Sequence, residues 1–259
     1  MLLFQRREEI KRLLLQQRSI TIDEVAQQFR VSDETIRRDI IALCNEGFCT
    51  KTYGGAALAV RSACATASSI KKNLRVSEKR KIAKIAASLI KPKDCIFLDH
   101  STTVAELCHE IRDMELTVVT NSLWVISEFA DLDNINLIVT GGNVSHLDRG
   151  MFGEEAQKFL RCHYFDKAFF SCRGLHLKKG VFDVNEQIAA LRRLLSEQSD
   201  QSILTADITK FGVPGFVQII PYKDVDILIA DSLPNSQWEE MLTKNNVEVM
   251  TEIPEEISR

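Results

Sequence analysis

From Asp94 onward the chain alternates short apolar runs with stretches of helical spacing. Cys95–Leu98, Leu116–Thr120, Ile135–Val139, Ala168–Phe170, Ser202–Thr205 and Val225–Ala230 are short, apolar and rich in β-formers, and read as buried strands. Between them Thr102–Ile111, Trp124–Ala130 and Glu186–Leu195 carry apolar residues at the helical period. Ile82, Ile85, Ala86, Leu89 and Ile90 describe one more helix ahead of this block, ended by Pro92. The alternation predicts an α/β fold: a mostly parallel sheet covered by helices on both faces.

The first 57 residues follow another pattern. A helix from Gln5 to Gln17 carries Ile10, Leu13 and Leu14. Thr21-Ile22-Asp23-Glu24 has the form of a capping box, opening a helix through Phe29 whose Ile22, Val25, Ala26 and Phe29 share a face. Only Arg30 and Val31 separate it from Ser32, a preferred N-cap, which is the turn length of a helix-turn-helix. In the helix that follows, Asp33 and Glu34 suit the positive end of the dipole, and Ile36, Ile40 and Leu43 fall on one buried face. Thr35, Arg38, Ala42 and Asn45 fall on the opposite face, with Arg37 on the flank. Gly47 is expected to stop this helix, and Phe48–Tyr53 closed by Gly54-Gly55 reads as a wing.

Amphipathic helices occur in every small helical domain, and an Arg pair is ordinarily just solvated. The capped three-helix order with a wing is what points to DNA. The expectation is a winged helix-turn-helix over 1–57, a linker over 58–76 rich in Ala, Ser and Thr, and an α/β effector-binding and oligomerisation domain over 77–259. Candidate DNA-binding residues are Ser32, Thr35, Arg37, Arg38, Asn45, Lys51 and Tyr53, with Arg38 on base edges and Arg37, Lys51 and Tyr53 on phosphates.

Charge refines this picture. The net charge of −3 argues against a general nucleic-acid coat, but residues 1–61 carry ten Lys and Arg against eight Asp and Glu, and residues 62–259 carry 23 against 28. A mildly basic front end on an acidic body suits sequence-selective binding by a few placed cations. The seven cysteines show neither C-x-x-C nor a His-Cys cluster, so they read as small core residues in a reducing compartment, with no metal site and no cofactor expected. No run approaches signal-peptide or membrane-spanning form, and the cytoplasm is the expected location.

In parallel α/β sheets ligands bind beyond the carboxyl ends of the strands. Here those ends run into Asp99-His100-Ser101-Thr102-Thr103, Thr120-Asn121-Ser122, Thr140-Gly141-Gly142-Asn143, Ser171-Cys172-Arg173-Gly174 and Ala206-Asp207-Ile208-Thr209-Lys210. Each loop alone is ordinary, since Ser and Thr cap helices and Gly ends strands everywhere. Together they describe a pocket for a small phosphorylated polar molecule, with Ser101-Thr102-Thr103 opening a helix under the anion and Arg173 and Lys210 as countercharge.

V-S-D-E-T-I-R-R-D-I followed by K-T-Y-G-G-A resembles the signature of the DeoR family of bacterial repressors of sugar catabolism. The resemblance continues through Asn73, Glu78 and Lys79 of N-x-x-x-x-E-K, then D-H-S-T-T, T-V-V-T-N-S, V-T-G-G, F-D-K-A-F-F and A-D-I-T-K-F-G. It implies a sensor domain similar in fold to sugar-phosphate isomerases and coenzyme A transferases, responding to a phosphorylated sugar. It also implies Asp99, Thr102, Thr103, Asn121, Gly141, Gly142, Asp207 and Lys210 as effector-site residues. The family usually reads D-S-G-T-T, where this chain has His100 and Ser101. His100 either packs and caps, or hydrogen-bonds an effector of altered shape.

The expected function is that of a repressor of a carbohydrate catabolic operon. It would bind double-stranded operator DNA as a homo-oligomer, dimer or tetramer, and answer to a phosphorylated sugar. The alternative is a sugar-phosphate isomerase-like enzyme with an accessory helix-turn-helix, using Asp99, Asp207, Glu186 and Lys210 as acid and base. Most strand-end groups are of phosphate-binding type rather than a proton-transfer pair, so no catalysis is expected.

Overall fold

The computed structural model describes residues 3–17, 19–45, 48–58 and 68–253. They fall into two compact units whose boundary lies between Leu74 and Arg75.

The first unit runs α1 (Leu3–Gln17), β1 (Ser19–Thr21), α2 (Ile22–Phe29), α3 (Asp33–Asn45), β2 (Cys49–Thr52), β3 (Gly55–Leu58) and α4 (Ser68–Lys72). Local chemistry sets the helix boundaries. The Thr21 hydroxyl accepts the Glu24 N–H at 3.3 Å and donates to the Glu24 carboxylate at 2.6 Å, so the expected box closes through the hydroxyl rather than through the Thr21 backbone. Arg30 in the left-handed region (φ 54°) ends α2, and the Ser32 hydroxyl accepts the Thr35 N–H at 3.4 Å at the start of α3. Ile10 and Leu14 of α1, Val25 of α2, and Ile36 and Leu43 of α3 are buried and join the three helices in one core. Each such side chain contributes roughly 1.5–3 kcal/mol.

Strands β1, β3 and β2 pair in that order as an antiparallel sheet, and β2–β3 is the expected wing. A Cβ on Gly55 would lie 2.0 Å from the Ile20 carbonyl oxygen, so only glycine lets β3 lie against β1 there. The expected helix stop at Gly47 and residues 59–67 of the expected linker lie outside the described residues. Part of that linker is instead helix α4.

The second unit opens with α5 (Val76–Ser88), β4 (Cys95–Leu98), α6 (Thr102–Ala105), α7 (Leu107–Ile111), β5 (Leu116–Thr120), α8 (Leu123–Phe129) and β6 (Ile135–Val139). It continues through β7 (Asn143–Ser145), β8 (Gly150–Phe152), α9 (Glu154–Arg161), β9 (Phe165–Ser171), β10 (Gly174–His176), β11 (Gly180–Asp183) and α10 (Glu186–Glu197). It closes with β12 (Ser199–Ala206), β13 (Val217–Ile220), β14 (Ile227–Ala230), α11 (Ser236–Lys244) and β15 (Glu248–Met250).

Seven strands form one parallel sheet in the order β15-β14-β12-β9-β4-β5-β6. Successive side chains point to opposite faces, and both faces are apolar: Ile96, Leu98 and Phe169 pack into one core, Phe97, Ala168 and Phe170 into the other. This is the α/β architecture with a winged helix-turn-helix ahead of it. From β4 the chain adds strands outward on one side through β5 and β6, then returns to place β9 and β12 on the other. The switch point therefore lies between β4 and β9.

The sequence reading does not contain β1, α9, α11 or the edge strand β15, and three further features differ from it. The helix expected over Thr102–Ile111 is two short segments parted at Glu106. A β7–β8 hairpin and an antiparallel β10-β11-β13 sheet add structure beyond the strand ends. Their members are three or four residues long, too short to show a period.

Candidate functional site

At the switch point the loop after β4 lies beside the loop after β9, and Asp99 anchors both. Its carboxylate accepts the Ser101 N–H at 2.8 Å, the Ser171 N–H at 3.2 Å, and Arg192 through Nε at 2.9 Å and Nη2 at 2.7 Å. Arg192, from α10, also donates to the Asp183 carboxylate of β11. Burial alone would raise the Asp99 carboxyl; Arg192, with His100 and the Ser101 bonds, outweighs it and holds the group below the usual carboxylate range. Asp99 is fully buried and both its oxygens are engaged, so it braces the two loops.

His100 is buried beside this ion-paired cluster. Its ring stands edge-on to Phe152 with centroids 4.8 Å apart, and a Cβ on Gly150 would lie 2.7 Å from the His100 Cβ, so the β7–β8 hairpin closes directly on it. Its Nδ1 has no hydrogen-bond partner among the described residues. Burial first, then the Arg192 charge, pulls the imidazole down to about 4, against the carboxylates of Asp99, Asp183 and Asp148. The imidazole is therefore neutral at pH 7. Above an unfolded value near 6.5 both states are neutral. As pH falls from there to about 4 only the unfolded chain takes the proton, so stability is lost across that window and levels off below it. His100→Gln is expected to flatten this slope, which denaturant melts of both proteins between pH 7 and 4 will measure.

The other strand-end residues divide into holders and open groups. Ser101 caps α6 by accepting the Val104 N–H at 3.2 Å, and Thr102 and Thr103 are buried behind it. Because α6 spans only four residues, its dipole is small. Asn121 donates to the Met151 carbonyl at 3.0 Å and so ties the hairpin down, while its Oδ1 is buried with no partner among the described residues. Gly141 and Gly142 have φ of 69° and 106°, and a Cβ on Gly142 would lie 2.5 Å from the Phe152 carbonyl oxygen. That glycine accommodates the hairpin.

Asp207 accepts the Thr209 N–H at 3.0 Å within its own turn; burial raises its carboxyl, but the Lys210 charge and the Thr209 bonds pull it lower overall. Arg173 is half-buried with Nε unpartnered. At about 4.8 Å per strand the ends of β12 and β6 lie some 19 Å apart. Lys210 and Gly141 thus stand at opposite margins of the crevice, and the expected residues converge around β9, β4 and β5.

Three charged residues beside these loops were not among the expected effector contacts. Arg192 is one. Lys79 of α5 is another: it is buried, and burial together with the nearby Lys210 charge brings its ammonium down to about 8. Arg149, in the hairpin, lies 4.7 Å from the centre of the Trp124 ring, and its buried Nε has no hydrogen-bond partner among the described residues.

In the first unit Ser32, Arg37, Arg38, Asn45, Lys51 and Tyr53 are exposed and Thr35 is half-buried. Arg38 pairs with Glu34 at 3.3 Å on an open surface, a contact that costs little to exchange for another acceptor. Arg37 and Lys51 line one shallow cleft between α3 and the wing, together with Ile41 and Gly54. Asp39 lies on the buried side of α3, where Arg6 at 2.6 Å and Arg7 at 3.0 Å hold its two oxygens. No helix among the described residues is long and apolar enough to cross a membrane.

Two family models match the chain: a DeoR-like helix-turn-helix domain over residues 6–61 and a DeoR C terminal sensor domain over residues 74–232. The HTH-type transcriptional regulator YulB of Bacillus subtilis is 36% identical over 232 residues, covering 90% of each chain. The lactose phosphotransferase system repressor of Staphylococcus aureus is 32% identical over 230 residues, covering 88% of this chain and 91% of its own. Among solved structures, ribose 5-phosphate isomerase A of Methanocaldococcus jannaschii aligns with a TM-score of 0.37 at 15% identity, over 51% of this chain and 53% of the enzyme.

Proposed function

Since this chain belongs to the DeoR family of transcriptional regulators, its length matched by that family's helix-turn-helix and sensor domains, we propose that it represses a carbohydrate catabolic operon and releases its operator on binding a phosphorylated sugar. The reading is carried by one observation: the loops after β4, β5 and β9 and the β7–β8 hairpin carry buried polar atoms with no partner among the described residues, His100 Nδ1, Asn121 Oδ1, Arg149 Nε and Arg173 Nε. Unpaired buried groups cost about 1–3 kcal/mol each, and a polar ligand removes that cost. Lys79 and Lys210 supply positive charge at the β12 side for its phosphate.

The isomerase reading lacks its acid–base pair. Asp99 is held by Arg192, Asp207 is bonded into its own turn, and Glu186 is exposed at the start of α10. Operator binding by a symmetric oligomer follows from the few base contacts that one helix of this size offers.

Retardation on the chain's own promoter tests the DNA half. Arg38→Ala is expected to cost about 1–3 kcal/mol and to relax preference at one or two positions. Lys51→Ala is expected to weaken all sequences alike and flatten the salt dependence. The effector half is tested by titrating sugar phosphates against the wild-type complex and against Lys210→Ala. Release from the wild type alone supports the site; equal release from both removes Lys210 from it, and release from neither rejects the sugar-phosphate effector.

A further inference from the structure

Two cysteines of the first unit lie sulfur to sulfur. Cys44 sits in the last turn of α3, Cys49 opens β2, and their Sγ atoms are 3.1 Å apart. Cys44 is half-buried and Cys49 buried behind it, with no disulfide between them. A disulfide has its sulfurs at about 2.05 Å, so an approach of about 1 Å would join them. The residues flanking the pair include candidate DNA contacts: Asn45 follows Cys44, and β2 carries Lys51 toward the exposed Tyr53.

We propose that Cys44 and Cys49 form an oxidisable dithiol that, when a hydroperoxide closes it, ties the recognition helix to the wing and lowers DNA affinity. Cys44, the more exposed sulfur, attacks as its thiolate one oxygen of hydrogen peroxide. An S–O bond forms, the O–O bond breaks, and the departing hydroxide takes a proton to become water. The Cys49 sulfur then attacks the Cys44 sulfenic acid; the S–S bond forms, the S–O bond breaks, and hydroxide leaves with the Cys49 proton as a second water. Two thiols and one peroxide thus give one disulfide and two waters, and a dithiol reductant reverses the bridge. In a reducing compartment such a bridge is transient, as a sensor requires.

Closing the bridge draws the start of β2 toward the end of α3 and shifts Lys51 and Tyr53 relative to Arg38. Phosphate contacts fix register without reading sequence, so affinity falls for all sequences alike. The DNA effect rests on the recognition-helix reading above; the bridge itself does not.

The test treats the full chain with hydrogen peroxide, alkylates remaining thiols, and reads intact mass, peptide map and retardation on the promoter fragment. We expect an intact mass with two alkyl groups fewer than the reduced and alkylated chain, a Cys44–Cys49 cross-linked peptide, and a several-fold loss of affinity that dithiothreitol restores. Cys44→Ser and Cys49→Ala are expected to keep the reduced-state affinity and lose the response, the second leaving a sulfenic acid at Cys44 that dimedone traps. Both thiols alkylated after peroxide, or a bridge formed with affinity unchanged, overturns the proposal.

Discussion

Arg192→Met is expected to destabilise the second unit by about 3–5 kcal/mol, the usual consequence of removing one partner from a buried ion pair. The guanidinium is 5% exposed and joins α10 to Asp99 after β4 and to Asp183 of β11. Its removal leaves two buried carboxylates without their countercharge. Calorimetry is expected to show the second unit melting roughly 10 °C lower. Replacing Asp99 and Asp183 by Asn in the same chain is expected to restore part of the loss, because the stranded charges are then gone. An unchanged melting temperature for Arg192→Met would mean the triad contributes nothing to the fold. With the fold retained, effector titration of the triple variant also tells whether the network shapes the crevice.

Asp39→Ala is the counterpart in the first unit. Arg6, with an 11% exposed side chain, and Arg7, 29% exposed, both end on this one carboxylate. A loss of about 3 kcal/mol is expected, large for a small domain with a limited core. DNA binding then fails because the domain unfolds, whereas Arg38→Ala binds more weakly and less selectively while folded. Circular dichroism melts beside retardation assays separate the two. If Asp39→Ala lost DNA binding while its melt stayed unchanged, the Arg6–Asp39–Arg7 cluster would belong to the DNA face and not to the core.

Both positions illustrate one limit of reading a helix by its apolar stripe. In α3 the buried positions are Ile36, Asp39, Ile40 and Leu43; in α10 they include Ile188, Leu191, Arg192 and Leu195. Lys79 stands in the same relation to Ile82 and Ala83 of α5. In each case a charge occupies a position that the helical period assigns to the core. The spacing was visible in the sequence, and it marks a buried ion or a buried cation, but the partner lies on another element and carries no signal in the local pattern.

The sequence by itself determined the order and type of the main elements. Apolar period and cap chemistry are local properties, and they place the capped helices of the first unit and the core strands of the second. It determined which face of α3 is open, since Ile36, Ile40 and Leu43 leave Arg38 and Asn45 nowhere to go but outward. It also directed attention to the strand ends, because parallel sheets bind ligands there. Only the tertiary structure decided which strand ends are neighbours, through the order that sets β9 against β4 and leaves β6 at the margin. Only it decided that Asp99 is a buried anchor for Arg192, that the short β7–β8 hairpin closes over His100, and that Cys44 meets Cys49. The reason is physical: periodicity reports whether a side chain faces the core, while the partner it finds there depends on segments brought together from elsewhere in the chain, as the separation of 93 positions from Asp99 to Arg192 illustrates.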